Sequence, residues 1–154
     1  MQHITRRGMI CLMALTMAAC GTKPQTAGVS RRLHSGETPE LRALINQAAA
    51  DNQVPASLIH RVVQRESGYN PGARNGPYYG LMQILPQTAQ TMGYDGPPSG
   101  LLDAETNLKY AVRYLRGAWL VANGNEDRAV MWYAKGYYYE AKRRGLLDEV
   151  RYRA

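Results

Sequence analysis

Cysteine is nearly absent: the 154-residue chain has two, Cys11 and Cys20, both within its first twenty positions. The rest of the chain therefore carries neither a disulfide framework nor a cysteine-ligated zinc cluster, and thiol redox chemistry is excluded from it. No apolar run reaches the ~20 residues that cross a bilayer as a helix. No segment alternates apolar and polar residues long enough to build a sheet core, and there is no internal repeat or low-complexity tract. A phosphate-binding glycine loop, a His-Glu-x-x-His helix and a Gly-x-Ser-x-Gly elbow are all missing. Their absence argues against nucleotide-dependent, zinc-protease and serine-hydrolase chemistry. The Lys and Arg residues are scattered, with no helix-turn-helix or aromatic RNA-binding signature among them, so nucleic acid is not an expected partner.

What is present is the balance of one globular domain, 45% hydrophobic and 20% charged. Ahead of it, residues 1–8 are short and basic, and residues 9–19 are apolar and end in small side chains, the layout of an export signal. Met17-Ala18-Ala19-Cys20 resembles the bacterial lipoprotein signal. That resemblance implies cleavage before Cys20 and lipid attachment to it, and Gly21 gives no signal for retention at the inner membrane. An outer-membrane lipoprotein facing the periplasm of a Gram-negative cell is the expectation. Losing residues 1–19 removes Arg6 and Arg7 and no acid, so the net charge falls from +7 to +5. Such a field favours anionic wall polymers and lipid headgroups. Residues 20–37 lack apolar periodicity and read as a lipidated tether, leaving 38–154 as the domain.

Within that domain the periodicity is helical, and a mostly α fold is predicted. Thr38-Pro39-Glu40 reads as an N-cap with proline at the first helical position, followed by Leu41, Leu44, Ile45 and Ala48 on one face. Pro55 opens a second helix that Ser67-Gly68 ends, with Ile59, Val62 and Val63 as its apolar stripe. Residues 68–79 are loop, where Asn75-Gly76 is a weak hairpin signal. Further helices are predicted from Pro86, through Leu108–Trp119, and from Glu126, with Gly136 and Gly145 as breaks.

Glu66 interrupts this pattern. It lies seven residues after Ile59, four after Val62 and three after Val63, on the stripe that should face the core. Burial and the negative end of the helix dipole both disfavour a charged carboxyl, so the side chain is expected to keep its proton near neutral pH. That is what a general acid requires. The bland alternative is a last-turn side chain bent into water. His60, off the apolar face, reads as solvated.

Glu66-Ser67-Gly68-Tyr69-Asn70-Pro71, Gly80-Leu81-Met82-Gln83-Ile84 and Pro86-Gln87-Thr88-Ala89 together resemble the motif series of lytic transglycosylases of the soluble lytic transglycosylase (SLT) type, relatives of goose-type lysozyme. Asn107-Leu108 with Tyr114-Leu115, and Trp132-Tyr133-Ala134-Lys135-Gly136, fall in the places of the later segments. The resemblance covers roughly residues 54–140. It implies a lysozyme-like single domain, without cofactor or metal and acting as a monomer. Its reaction would cut the β-1,4 bond between N-acetylmuramic acid and N-acetylglucosamine in peptidoglycan glycan strands, with a 1,6-anhydro product. Glu66 would serve as acid and then base. Ser67 would orient the acid or the sugar, Gln83 would bind substrate, Met82 would shape the groove and the Tyr133 hydroxyl would reach Glu66. Most glycosidases need two carboxylates about 5–9.5 Å apart; Asp51, Asp95 and Asp103 read as turn and cap residues, though any one folding toward Glu66 would make a hydrolytic muramidase. Ala134 stands where the family has Asn, and Lys135 replaces a small residue. Tyr78-Tyr79 puts two rings at the expected groove edge, and Tyr137–Tyr139 could form a second lip of which only part can face sugar. If these departures spoil the groove, a noncatalytic wall-binding or assembly factor on the same scaffold is the remaining alternative.

Overall fold

A computed structural model describes residues 32–151; the export signal, Cys20 and the greater part of the tether lie outside the described residues. Thr38 begins α1 (Pro39–Asn52): its hydroxyl accepts from Leu41 N at 3.2 Å, Pro39 occupies the first turn, and Gln53 ends the helix at φ +53°. α2 (Ala56–Ser67) follows Pro55 and stops at Gly68, whose φ of +57° is the left-handed cap that glycine adopts without a Cβ penalty. After a loop and a short α3 (Pro86–Thr91), a 3-10 turn over Pro98–Leu102 leads to α4 (Ala104–Val121). Asp103 caps α4, accepting from Thr106 N at 2.8 Å. Asn125 caps α5 (Glu126–Lys135) in the same way at 2.9 Å. Short helices α6 (Tyr138–Arg143) and α7 (Leu147–Val150) complete the described chain.

α4 is the axis of the core. Leu108, Ala111, Val112, Leu115, Ala118 and Val121 are buried along it, and α1, α5 and α7 pack around it. Behind α2, Leu58, Ile59, Val62 and Val63 are fully buried with Ile45 of α1. The fold is mostly α, as the periodicity predicts, and no described helix is long and apolar enough to cross a membrane.

The hairpin region and the approach to the domain depart from the sequence reading, while the tyrosine run divides as that reading requires. A small hairpin forms, β1 (Arg74–Asn75) against β2 (Tyr78–Tyr79), antiparallel with Arg74 opposite Tyr79 and Asn75 opposite Tyr78. Gly76 turns it at φ +56°. The three tyrosines after α5 do not share a fate: Tyr137 is buried and donates to the Tyr114 carbonyl at 3.0 Å, while Tyr138 and Tyr139 stay exposed. The phenol of Tyr137 lies against Gly117, where a Cβ would collide with it. Finally, residues 34–37 are packed against the domain rather than loose. The Glu37 side chain is fully buried, and it helps to cover His60, which is buried too and not solvated.

Candidate active site

The last turn of α2 presents Glu66 and Ser67 at the edge of the core. The apolar stripe runs out one turn before the helix does, so Glu66 is only partly covered. Its side chain keeps 24% of its exposure, and Oε1 accepts from the guanidinium of Arg65, with Nε at 2.9 Å and Nη2 also in contact. The complete burial expected from the stripe is therefore not found in the free protein. A neighbouring surface guanidinium covers what the core does not.

Facing this turn is the segment 80–84. Gly80 enters it at φ +74°, where a Cβ would strike the Asn107 amide and the Leu101 carbonyl. Gln83, at φ +48°, is a left-handed non-glycine residue, a conformation that persists only where surroundings enforce it. The enforcement comes from three helices. Ser67 of α2 donates to the Leu81 carbonyl at 2.8 Å, with the Val63 carbonyl at 3.2 Å as its second acceptor. Asn107 of α4 accepts from Met82 N at 3.0 Å and donates to the carbonyls of Tyr79 at 2.9 Å and Leu101 at 2.8 Å. Tyr133 of α5 donates its hydroxyl to the Met82 carbonyl at 2.8 Å. Beneath these contacts the Leu81 and Met82 side chains are wholly buried. Tyr79 and Ile84 close the segment by exchanging two backbone bonds of 3.1 Å.

The residues singled out from the sequence thus come together in two ways. Glu66, Ser67, Met82 and Tyr133 share one small region, but the hydroxyls of Ser67 and Tyr133 hold backbone carbonyls of residues 81–82. Met82 is wholly buried, its peptide bonded to Asn107 and Tyr133 and its side chain in the core, so it supports the groove from beneath rather than lining it. Tyr133 is nonetheless close to Glu66: burial first, and then the Glu66 carboxylate, push its phenol well above the usual tyrosine range, so it stays a donor. The Gln83 amide donates to the carbonyls of Ala73 at 3.1 Å and Gly80 at 2.9 Å, which ties the hairpin to the segment. Its amide oxygen accepts no bond from the described residues.

Tyr78 and Tyr79 sit on the hairpin. Tyr78 is 42% exposed, whereas Tyr79 lies under the Arg74 guanidinium, 4.8 Å from the ring centroid. Ala134 and Lys135 are exposed in the last turn of α5. None of the hydrogen bonds or ion pairs of Glu66 among the described residues involves a second acid. Asp103 is spent as a cap, Asp51 accepts from Gln47 at 2.7 Å, and Asp95 is exposed. Asp51 also lines a separate cavity of about 590 Å³ between α1, α4 and α7, to which Glu66 contributes nothing.

Asn107 is the residue whose role sequence reasoning missed. It is fully buried and makes three hydrogen bonds, two to the segment opposite Glu66 and its approach and one to Leu101 in the 3-10 turn before α4. The signal was available: four residues before Ala111, it is an amide on the buried stripe of α4, as Glu66 is a carboxylate on that of α2.

Residues 43–145 match the family model described as "Transglycosylase SLT domain". Over 89 residues the chain is 35% identical to a protein of Mannheimia succiniciproducens named "Membrane-bound lytic murein transglycosylase C", an alignment covering 53% of this chain and 24% of that protein. The chain thus spans about a quarter of that relative's length.

Proposed function

Because the chain belongs to the transglycosylase SLT domain family, we propose that it is a peptidoglycan lytic transglycosylase with Glu66 as its one catalytic carboxyl. The reading is carried by the placement of Glu66: a partly open carboxyl at the end of α2, beside the pinned segment 80–84, with no second acid bonded to it among the described residues. In the proposed reaction Glu66 first gives its proton to the oxygen bridging N-acetylmuramic acid to N-acetylglucosamine, and the C1–O bond breaks. The acetamido oxygen of the muramic acid steadies the cation at C1. The Glu66 carboxylate then takes the proton of the 6-hydroxyl as that oxygen bonds C1, which closes the 1,6-anhydro ring without water. To approach the bridging oxygen, Glu66 exchanges its Arg65 contact. Arg65 is 41% exposed, and a surface pair of this kind holds by only ~0–1 kcal/mol.

Ser67 and Tyr133 act in this reading by fixing the backbone of residues 81–82, while the free amide oxygen of Gln83 is offered to sugar hydroxyls or acetamides. The exposed Tyr78 ring supplies a face on which a sugar stacks, and Tyr79 could do so only by giving up its Arg74 contact. Tyr78→Ala is expected to weaken binding of soluble glycan strands by about fivefold, roughly 1 kcal/mol, in a titration calorimetry experiment. Unchanged affinity in both Tyr78→Ala and Tyr79→Ala ends the stacking assignment.

The same reading places residues 1–19 as an export signal, Cys20 as the lipidated residue, 20–37 as the approach to the domain and 38–154 as the catalytic domain, working as a monomer in the periplasm at the outer membrane. The membrane-bound relative supports an envelope location. Mass spectrometry of sacculus digests tests the chemistry. Products ending in 1,6-anhydromuramic acid are expected; reducing ends indicate a hydrolase, and strands bound but never cut indicate a wall-binding scaffold.

A further inference from the structure

Residues 34–37 cross the far side of the turn that follows Glu66. Both oxygens of the buried Glu37 carboxylate accept from Arg42 of α1, at 2.5 Å each, and Oε2 also accepts from His34 N at 2.8 Å. The His34 ring stacks on Tyr69, with centroids 5.7 Å apart and planes 12° from parallel, and lies 5.0 Å from the ring of His60. His60 Nδ1 and the Tyr69 hydroxyl share a hydrogen bond of 2.9 Å. Gly36, at φ +83°, backs onto the Gly68 carbonyl with no room for a Cβ. The residues held are Gly68 and Tyr69, at φ +57° and +68°. Two successive left-handed residues, one of them aromatic, are a costly way to leave a helix, and such a conformation lasts only where neighbours enforce it.

We propose that His34–Glu37 is a strap that positions Glu66: by clasping Gly68 and Tyr69 it sets the exit of α2, and through that the place of the carboxyl against the segment 80–84. This rests on Glu66 being the acid and base of the proposed reaction. Glu37, His60 and Tyr69 are positioning residues, since none of them touches the glycan.

The strap is built to hold at neutral pH and loosen in acid. The groups facing His60 are Glu37 and His34 of the strap, Arg42 of α1 and Tyr69 of the loop. Burial pulls the His60 imidazole below its ordinary 6.5, against the opposing pull of Glu37, so the folded state prefers it neutral. Its contribution is complete above 6.5 and shrinks as pH falls below that value. The hydrogen bond from Arg42 holds the Glu37 carboxyl down at about 2 against an ordinary 4.5, so its contribution is lost between those two values as pH falls. A metal site is the competing use of this cluster, because His34, Glu37 and His60 bring ligand atoms within 4.8 Å of one another. A divalent cation there would have to compete with the Arg42 guanidinium for a Glu37 oxygen.

The test uses the full-length protein, soluble glycan oligomers and steady-state kinetics. Glu37→Gln and Tyr69→Phe are expected to lower kcat by about 10- to 100-fold with KM within about twofold of wild type. His60→Gln keeps a polar partner for Tyr69 but cannot be protonated, and is expected to move the acid limb of the kcat profile to lower pH. Should Glu37→Gln fail to fold, Tyr69→Phe decides. Wild-type kcat in Tyr69→Phe together with an unmoved acid limb in His60→Gln overturns the strap, as does stoichiometric Zn²⁺ binding lost in His60→Gln. An inactive wild type removes the reaction and the strap's role together; an active wild type with unaffected variants removes the strap alone.

Discussion

Glu66→Gln is expected to give a folded protein with no measurable turnover of peptidoglycan. The amide keeps the shape and much of the polarity of the carboxyl, so α2 and its left-handed cap at Gly68 have no reason to change. The side chain lies at the rim and its bond to Arg65 is between surface groups, so the stability lost is about 0–1 kcal/mol. The chemistry loses both halves of its proton traffic at once. General acid–base assistance contributes about 10²–10⁴-fold for a step, and here one group assists both the cleavage and the ring closure. A fall of at least 10⁴-fold is the expected size. Mass spectrometry of sacculus digests reads the activity, and a thermal melt confirms the fold. Turnover within a hundredfold of wild type, with anhydro products still forming, would mean that another group supplies the proton.

Asn107→Asp is the substitution expected to cost the domain most. The Asn107 amide nitrogen donates to the carbonyls of Tyr79 and Leu101, and its oxygen accepts from Met82 N, all in a place without solvent. Aspartate replaces the nitrogen with an oxygen that faces two carbonyl oxygens. If ionised it is a buried charge answered only by the Met82 N–H; if protonated it has one hydrogen for two acceptors. Leaving buried groups unpaired costs ~1–3 kcal/mol apiece, so a loss of about 3–5 kcal/mol is expected. Urea denaturation should show the midpoint falling with the slope unchanged. Ser67→Ala, which removes one partly covered hydroxyl that bonds the same segment from α2, is the comparison and should lose only ~1 kcal/mol. A shift under about 1 kcal/mol for Asn107→Asp would show that Gly80–Gln83 holds its course without the amide.

The helices and the site were legible to different depths. α1, α2, α4 and α5 could be read because their buried residues recur at helical spacing and their caps are local: Thr38, Asp103 and Gly68 each act within a few residues of themselves. Glu66 stood out because a charge on an apolar stripe is visible at the same range. The tasks of Ser67 and Tyr133 were not, since their acceptors are carbonyls of residues 81 and 82, and no pattern in a sequence says which carbonyls of an irregular segment lack partners. Without them, hydroxyls beside an acid look free for sugar. The hairpin was signalled only weakly, by Asn75-Gly76, because strands of two residues are too short to alternate. His60 was read as solvated because its cover comes from Glu37, more than twenty positions upstream, in a stretch whose glycine and serine content suggests a tether.

The fit of Tyr137 against Gly117 bears on where this protein could be cut down. A fragment ending at Gly136 would keep every catalytic and motif residue, yet it would leave an unfilled slot at Gly117 in the C-terminal part of the central helix. It would also lose Ala141, which is fully buried four residues after Tyr137. The smallest piece able to fold by itself therefore extends past the last recognisable motif, and trimming by motif alone would yield an insoluble product.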